Sequence, residues 1–265
     1  MPNQKNMKEF TPEIKYYKSF EDDFVESMDQ DYKLKENYKW IHTNPIYRFF
    51  SWVIYGIAWF IIRFAFPIAY GVKVKNKEVL KPYKKMGYFF FGNHTQMIGD
   101  VFKAPYVAKS KRVYVIAAPA NLGVPVIGKI LTSLGAITIP TDFEHMKDFT
   151  KAIHTRIEQK HCVSIYPEAH LWPYYTGIRP FPETSFKFVV TENVPAFCIT
   201  TTYQKRKFRK KPRVTLFVDG PFWPDKTLAR QDRAKKLHDE IYETMKERSK
   251  ESTYDYVIYK KSEDE

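Results

Sequence analysis

A chain of 265 residues can bury a sizeable core as one large domain, and its 44% hydrophobic and 17% aromatic content excludes a mainly disordered protein. Lys and Arg number 43 against 30 Asp and Glu, and a formal charge of +13 suits an anionic partner, either nucleic acid or an acidic membrane face. Cys162 and Cys198 sit in apolar, strand-like runs with no disulfide framework, and "MPNQKNMKEF" has no apolar signal core, so a reducing, cytoplasmic side is expected.

Residues 1–45 are polar, with charges of both signs and several tyrosines. They predict a surface segment, partly helical, that packs through its aromatics. Residues 46–72, "IYRFFSWVIYGIAWFIIRFAFPIAYGV", are the most apolar part of the chain. The uncharged run from Phe49 to Ile62 falls short of the roughly 20 residues that cross a bilayer core. Arg48, Arg63 and Pro67 therefore favour one or two membrane-associating helices in the interface, with Trp52, Tyr55 and Trp59 near the polar boundary. A single tilted span that tolerates Arg63 is the rival, and a buried core helix is the bland alternative.

Beyond residue 72 the chain alternates short β-branched or aromatic runs with helical patterns. Val72–Val74 predicts a short strand. Tyr88–Phe91 predicts a buried one, broken by Gly92 and Asn93. "DVFKAPYVAKS" predicts a helix interrupted at Pro105, "KRVYVIAAPA" a strand, "NLGVPVIGKILTSLG" a helix closed by Gly135, and "AITIP" another strand. "HMKDFTKAIHTRIEQK" has Met146, Phe149, Ile153 and Ile157 along one helical face. "HCVSIYPEAH" predicts a strand ending at Glu168, and "FKFVVTENVPAFCITTTY" a helix, turn and strand. "PRVTLFVDGPF" predicts a sixth strand, and "LARQDRAKKLHDEIYETMKERSK" a final helix with Leu237, Ile241 and Met245 inward.

This alternation predicts an α/β fold with a mostly parallel central sheet flanked by helices. The expected organisation is a polar segment (1–45), an N-terminal membrane-associating helical segment (46–72), an α/β domain (73–250) and a charged tail (251–265).

The chemistry is concentrated after the strand at 88–91. His94 at a strand's carboxyl end, with Asp100 beyond it, is a candidate general base with an orienting carboxylate, and ligands of open α/β sheets bind at that end. The bland reading is a capping histidine beside a solvated aspartate. Asn93 and Thr95 are candidate caps for the next helix, with substrate contact as the second reading. The histidines show no metal-ligand spacing. The basic run "KRKFRKKPR" (205–213) faces anionic headgroups or donor phosphates, or is a solvated hairpin. Phe208 alone among these basic residues argues against nucleic acid.

Four stretches in order, "NHTQMIGD" (93–100), "LGAITIPT" (134–141), "YPEAHL" (166–171) and "NVPAFCI" (193–199), resemble the motifs of the glycerolipid acyltransferases, the bacterial PlsC-type lysophospholipid acyltransferases. The resemblance covers roughly residues 70–220. It implies transfer of a fatty acyl group from acyl-CoA or acyl carrier protein to a lysophospholipid-like or glycolipid hydroxyl, at the cytoplasmic face of a membrane. His94 would be the base, Asp100 its orienting partner, and Glu168 after Pro167 an acceptor-site residue. Oxyanion donors are expected in the turn after Glu168. No metal or redox cofactor is needed.

The departures are specific. Five residues rather than four separate His94 from Asp100, and six helical steps of 100° would leave those side chains about 120° apart. Contact requires His94 to precede the helix in a distorted turn, which Gly99 eases. Pro140 and Thr141 stand where the family has Arg, while Ala169 and Leu171 replace Gly and Arg. The lost basic groups are those the family associates with an acceptor phosphate; Arg179 and Lys187 are candidate replacements. A non-catalytic lipid- or nucleic-acid-binding protein on the same scaffold is the alternative.

Overall fold

The computed structural model describes residues 10–25, 32–109, 111–207 and 209–262, so Phe208 lies outside the described residues. After a short strand β1 (Glu13–Tyr17), one unbroken helix α1 covers Pro45–Tyr70. Asn44 caps its start, its side chain accepting from the N–H of Ile46 and Tyr47, and Gly71 ends it at φ 61°. Pro67 lies within the helix and does not divide it. The elements β2 (Lys73–Lys75), β3 (Tyr88–Gly92), α2 (Asp100–Ala108), β4 (Val113–Ala117), α3 (Ile127–Ile130), β5 (Ala136–Thr138) and α4 (Met146–Glu158) follow. Then come β6 (Cys162–Ile165), α5 (Phe186–Glu192), β7 (Ala196–Gln204), β8 (Arg213–Phe222), α6 (Arg230–Ser249) and β9 (Val257–Lys261).

Seven strands form one sheet in the order β2-β8-β7-β3-β6-β4-β5, with every neighbouring pair parallel except β7 and β8. The expected mostly parallel α/β architecture is present. β3 lies at the centre and is buried on both faces, which is why its sequence is a continuous aromatic run rather than an alternating one. Phe89 and Phe91 join the core shared with α4, α5 and α6, while Tyr88 and Phe90 join the one beneath α1 and α2. Phe91 pairs with Ile165 on β6 and Gly92 with Ile199 on β7, so the loops leaving β3 and β6 start at the same level.

Four local expectations are corrected. Pro105 does not interrupt α2, because one missing N–H costs a nine-residue helix a single internal bond. The stretch expected as one long helix at 121–135 contains only the four-residue α3; Pro125 precedes Val126, whose φ is +64°. Val126 and Ile127 point outward instead of into the core. Met146 on α4 is likewise exposed, leaving Phe149, Ala152, Ile153 and Ile157 as the buried face.

The fourth correction concerns the chain ends. The segment expected as a charged tail contains β9, which pairs in parallel with β1, while the described part of 10–44 has no helix. This ribbon, with its neighbours, encloses the buried Trp172: Tyr259 stacks on its indole at 4.8 Å, and Tyr17, Phe20 and Phe24 surround it. Cys162 and Cys198 are buried free thiols. Burial pushes the Cys162 thiol up to about 12.

Candidate active site

The extra residue between His94 and Asp100 is absorbed before the helix begins. His94 sits in extended chain after β3, residues 97–99 form a turn, and Asp100 is the first residue of α2. The N–H of Asp100 donates to the Gln96 carbonyl at 3.2 Å, and that of Gln96 donates to Asp100 Oδ2 at 3.0 Å, curling the loop back. The result is a contact of 2.6 Å between His94 Nδ1 and Asp100 Oδ2. An ionised carboxylate only accepts, so Nδ1 carries the proton and Nε2 is left with its lone pair. Gly99 has φ −68°, an ordinary helical value. What it supplies is space, because a Cβ there would collide with Gln96 Oε1.

The other oxygen of Asp100 forms an ion pair with Lys103, three residues along α2 and on the same helical face. The side chains of Asp100 and Lys103 are each 1% exposed, whereas that of His94 is 25% exposed and can be reached from outside. Burial acts to raise the Asp100 carboxyl, but the Lys103 charge and the His94 bond outweigh it and hold the group below its usual value of 3.8. Burial pulls the Lys103 ammonium down, opposed by Asp100. With two donors on one carboxylate, one of them the Lys103 ammonium, the ionised state of Asp100 is the direction the geometry supports. Sequence reading missed Lys103, although its i+3 spacing from Asp100 was visible.

From β6, Tyr166 lays its ring against His94 with centroids 5.0 Å apart, and its hydroxyl donates to the Asp100 carbonyl. Gly92 makes room for that ring, since a Cβ there would meet Tyr166 Cε1 at 2.9 Å. In the turn and first helical turn that follow His94, Met97, Ile98 and Val101 present exposed apolar side chains.

Glu168 is buried behind His94. Its Oε2 accepts the His94 N–H at 3.0 Å and Arg179 Nη2 at 3.1 Å, and its Oε1 accepts the Arg179 N–H at 3.0 Å. Arg179 is 0% exposed, donates to the Phe20 carbonyl at 3.2 Å and to the His170 carbonyl, and stacks over Trp172 at 5.0 Å. Arg179 is therefore spent on Glu168 and cannot replace a lost phosphate-binding group. Glu168 fixes the His94 backbone rather than facing an acceptor, and Pro167 is buried beside it. Lys187 is exposed on α5, whose neighbours are α4 and α6, and no described contact joins it to the His94 cluster.

Asn93 and Thr95 neither cap α2 nor reach outward. Asn93 clasps Thr201 on β7, its Oδ1 accepting the N–H at 2.8 Å and its Nδ2 donating to the carbonyl at 3.1 Å. The Thr95 hydroxyl lies 2.7 Å from that of Tyr203, which also donates to the Thr95 carbonyl at 3.1 Å. Both bury the loop against β7. Three of the N–H groups expected as oxyanion donors are committed: Ala169 to Tyr166, His170 to Glu168, and Trp172 to the His94 carbonyl at 3.1 Å.

α1 packs on the domain along one stripe. The Tyr47 hydroxyl meets that of Thr132 at 3.0 Å, and Ser51 donates to the Ser133 carbonyl at 3.2 Å. Tyr55 accepts the Val113 N–H at 2.9 Å, Trp59 donates to the Lys109 carbonyl at 2.6 Å, and Arg63 lies over Tyr106. The opposite face, including Phe49, Trp52, Phe60, Ile61 and Phe64, is exposed and apolar. Among the described residues α1 is the one helix long and apolar enough to cross a membrane, with a mean hydropathy of 1.7.

Residues 71–202 match the family model Acyltransferase. No curated protein matches the sequence. Among solved structures the fold is similar to that of the 1-acyl-sn-glycerophosphate (LPA) acyltransferase PlsC from Thermotoga maritima, at 13% identity and a TM-score of 0.54 over 79% of this chain and 89% of that one.

Proposed function

Because the chain belongs to the acyltransferase family through its domain at 71–202, we propose that it moves a fatty acyl group from a thioester to a lipid hydroxyl at a membrane surface. The observation that carries this reading is the 2.6 Å bond between His94 Nδ1 and Asp100 Oδ2, with the imidazole 25% exposed in a loop that also exposes Met97 and Ile98. An alcohol is a poor nucleophile near neutral pH. With Nδ1–H tied to Asp100, Nε2 takes the acceptor proton as the hydroxyl oxygen attacks the thioester carbonyl. The C–O bond forms, the C–S bond breaks, and the imidazolium returns the proton to the departing thiolate. Asp100 keeps the ring in the working tautomer and balances the transient charge.

The donor is acyl-CoA or acyl carrier protein, with no cofactor beyond it. The acceptor is a glycolipid or a lysophospholipid whose phosphate is not the recognised feature. Both buried cations near His94, Lys103 and Arg179, are already engaged by carboxylates, which supports this choice over a phosphomonoester. The membrane reading rests on α1. A helix of 26 residues is about 39 Å long, enough to cross a bilayer core of about 30 Å. Its polar stripe, however, packs on the catalytic domain from Tyr47 to Arg63. A helix fastened in that way lies along the domain and offers its apolar face to one leaflet, on the cytoplasmic side.

The test is turnover by purified protein in liposomes, with acyl-CoA and acyl-carrier-protein donors against neutral and phosphorylated acceptors. Thiol release coupled to ester formation, lost in His94→Ala, is expected. Undiminished turnover in His94→Ala overturns the assignment of the base.

A further inference from the structure

Lys103 is a charged group of the His94 cluster that neither the motif nor the proposed chemistry uses. A buried ammonium is expensive to desolvate, and an uncharged side chain of similar length would fill the same space without that cost. Lys103 is nevertheless 1% exposed and ion-paired to Asp100 Oδ1, while Oδ2 serves His94; its Nζ also lies 3.5 Å from the Asn93 carbonyl. The carboxylate is thus divided, Oδ1 to Lys103 and Oδ2 to His94 and the Gln96 N–H.

We propose that Lys103 is a positioning residue of the base: it anchors Asp100 so that Oδ2 stays aimed at His94 Nδ1, and its charge offsets that of Asp100 so that the imidazole remains neutral and able to accept a proton. Two effects follow from one contact. Geometrically, Lys103 on Oδ1 adds to the Gln96 N–H on Oδ2 and keeps the carboxylate from rotating away from the ring. Electrostatically, an unbalanced Asp100 would stabilise the imidazolium and fill Nε2 before substrate arrived; the fixed cation prevents this.

The remaining groups do not substitute for it. Glu168, from the turn after β6, is neutralised by Arg179. Tyr166 on β6, Tyr203 on β7 and Tyr70 on α1 have hydroxyls shifted up, chiefly by burial, and stay neutral at working pH. Among the described residues, Lys103 is the cation in contact with Asp100.

The activity arm of the test rests on the acyl-transfer reading; a spectroscopic arm does not. In Lys103→Met the acid limb of the kcat/KM profile should move to higher pH, so that activity is lost on the acid side and recovers as the pH is raised. Lys103→Arg should keep the wild-type limb. A Lys103→Met profile that superimposes on the wild type, or that falls equally at every pH, overturns the proposal. Nitrogen-edited imidazole spectra of the wild type at pH 7.5 remain decisive even if Lys103→Met does not fold. The proposal expects a neutral ring with its proton on Nδ1; an imidazolium, or a proton on Nε2, sinks it. If the wild type transfers no acyl group from any donor, the functional reading fails while the spectra still decide the role of Lys103.

Discussion

Glu168 Oε2 accepts the His94 N–H at 3.0 Å and the Arg179 guanidinium at 3.1 Å, so the backbone of the catalytic loop hangs on a buried ion pair. Removing one partner of such a pair strands the other charge in a buried site, at about 3–5 kcal/mol. Arg179→Met should therefore lower unfolding stability by about that much in denaturant titrations. Adding Glu168→Gln should restore part of the loss. If Arg179→Met instead leaves stability intact and raises KM only for phosphorylated acceptors, Arg179 binds substrate after all.

His94 and Asp100 make separable contributions. His94→Ala removes the base, a loss of about 10²–10⁴ in kcat/KM. Asp100→Asn can present an amide N–H to Nδ1 and drive the ring proton to Nε2, so a loss approaching that of His94→Ala is expected, with KM for the donor little changed. Steady-state kinetics with circular dichroism as a folding control measure both. A fully active Asp100→Asn would remove the orienting role.

The large sheet was legible because β3, β4, β6 and β7 are rich in apolar and β-branched residues, the mark of strands covered on both faces. β1 and β9 were not. "EIKYY" and "VIYKK" are short and half polar, and they pair across almost the whole chain length around Trp172, a relationship periodicity does not encode. The 121–135 stretch misled because the apolar side chains of Val126 and Ile127 face outward, so their spacing reports no core-facing stripe. His94 and Asp100 were legible as a pair of residue types after a strand. The fate of Arg179 was not, since an arginine eleven residues beyond a glutamate becomes its partner only once the intervening loop closes. Ala169, in place of the glycine of the resembled motif, sits at φ +59°, the backbone reason a glycine belongs there.

Acid stability should carry the signature of Asp100. Its folded carboxyl is held below 3.8, so the stability it contributes is fully present above that value and is lost as pH falls through the lower folded value. The stability difference between wild type and Asp100→Asn should then be constant above about pH 5 and narrow below about pH 4. Chemical denaturation from pH 3 to pH 7 measures it. A gap that widens on acidification would mean that Asp100 is protonated in the folded protein.

The outward face of α1 makes a prediction that separates attachment from folding. Phe60, Ile61 and Phe64 are exposed, while Ile62 and Phe66 are buried against the domain. Transfer of each large apolar side chain into a membrane is worth about 1.5–3 kcal/mol. Replacing all three exposed residues by Ser should therefore weaken sedimentation with anionic liposomes by at least about 100-fold while leaving the unfolding midpoint of the detergent-free protein close to that of the wild type. Ile62→Ser and Phe66→Ser should do the reverse, lowering the midpoint with little effect on the outward face. Activity toward a soluble short-chain acceptor should survive the triple substitution, because His94 and its partners lie on the loops after β3 and β6 and on α2. Unchanged liposome binding in the triple variant would show that α1 is not the surface that meets the lipid.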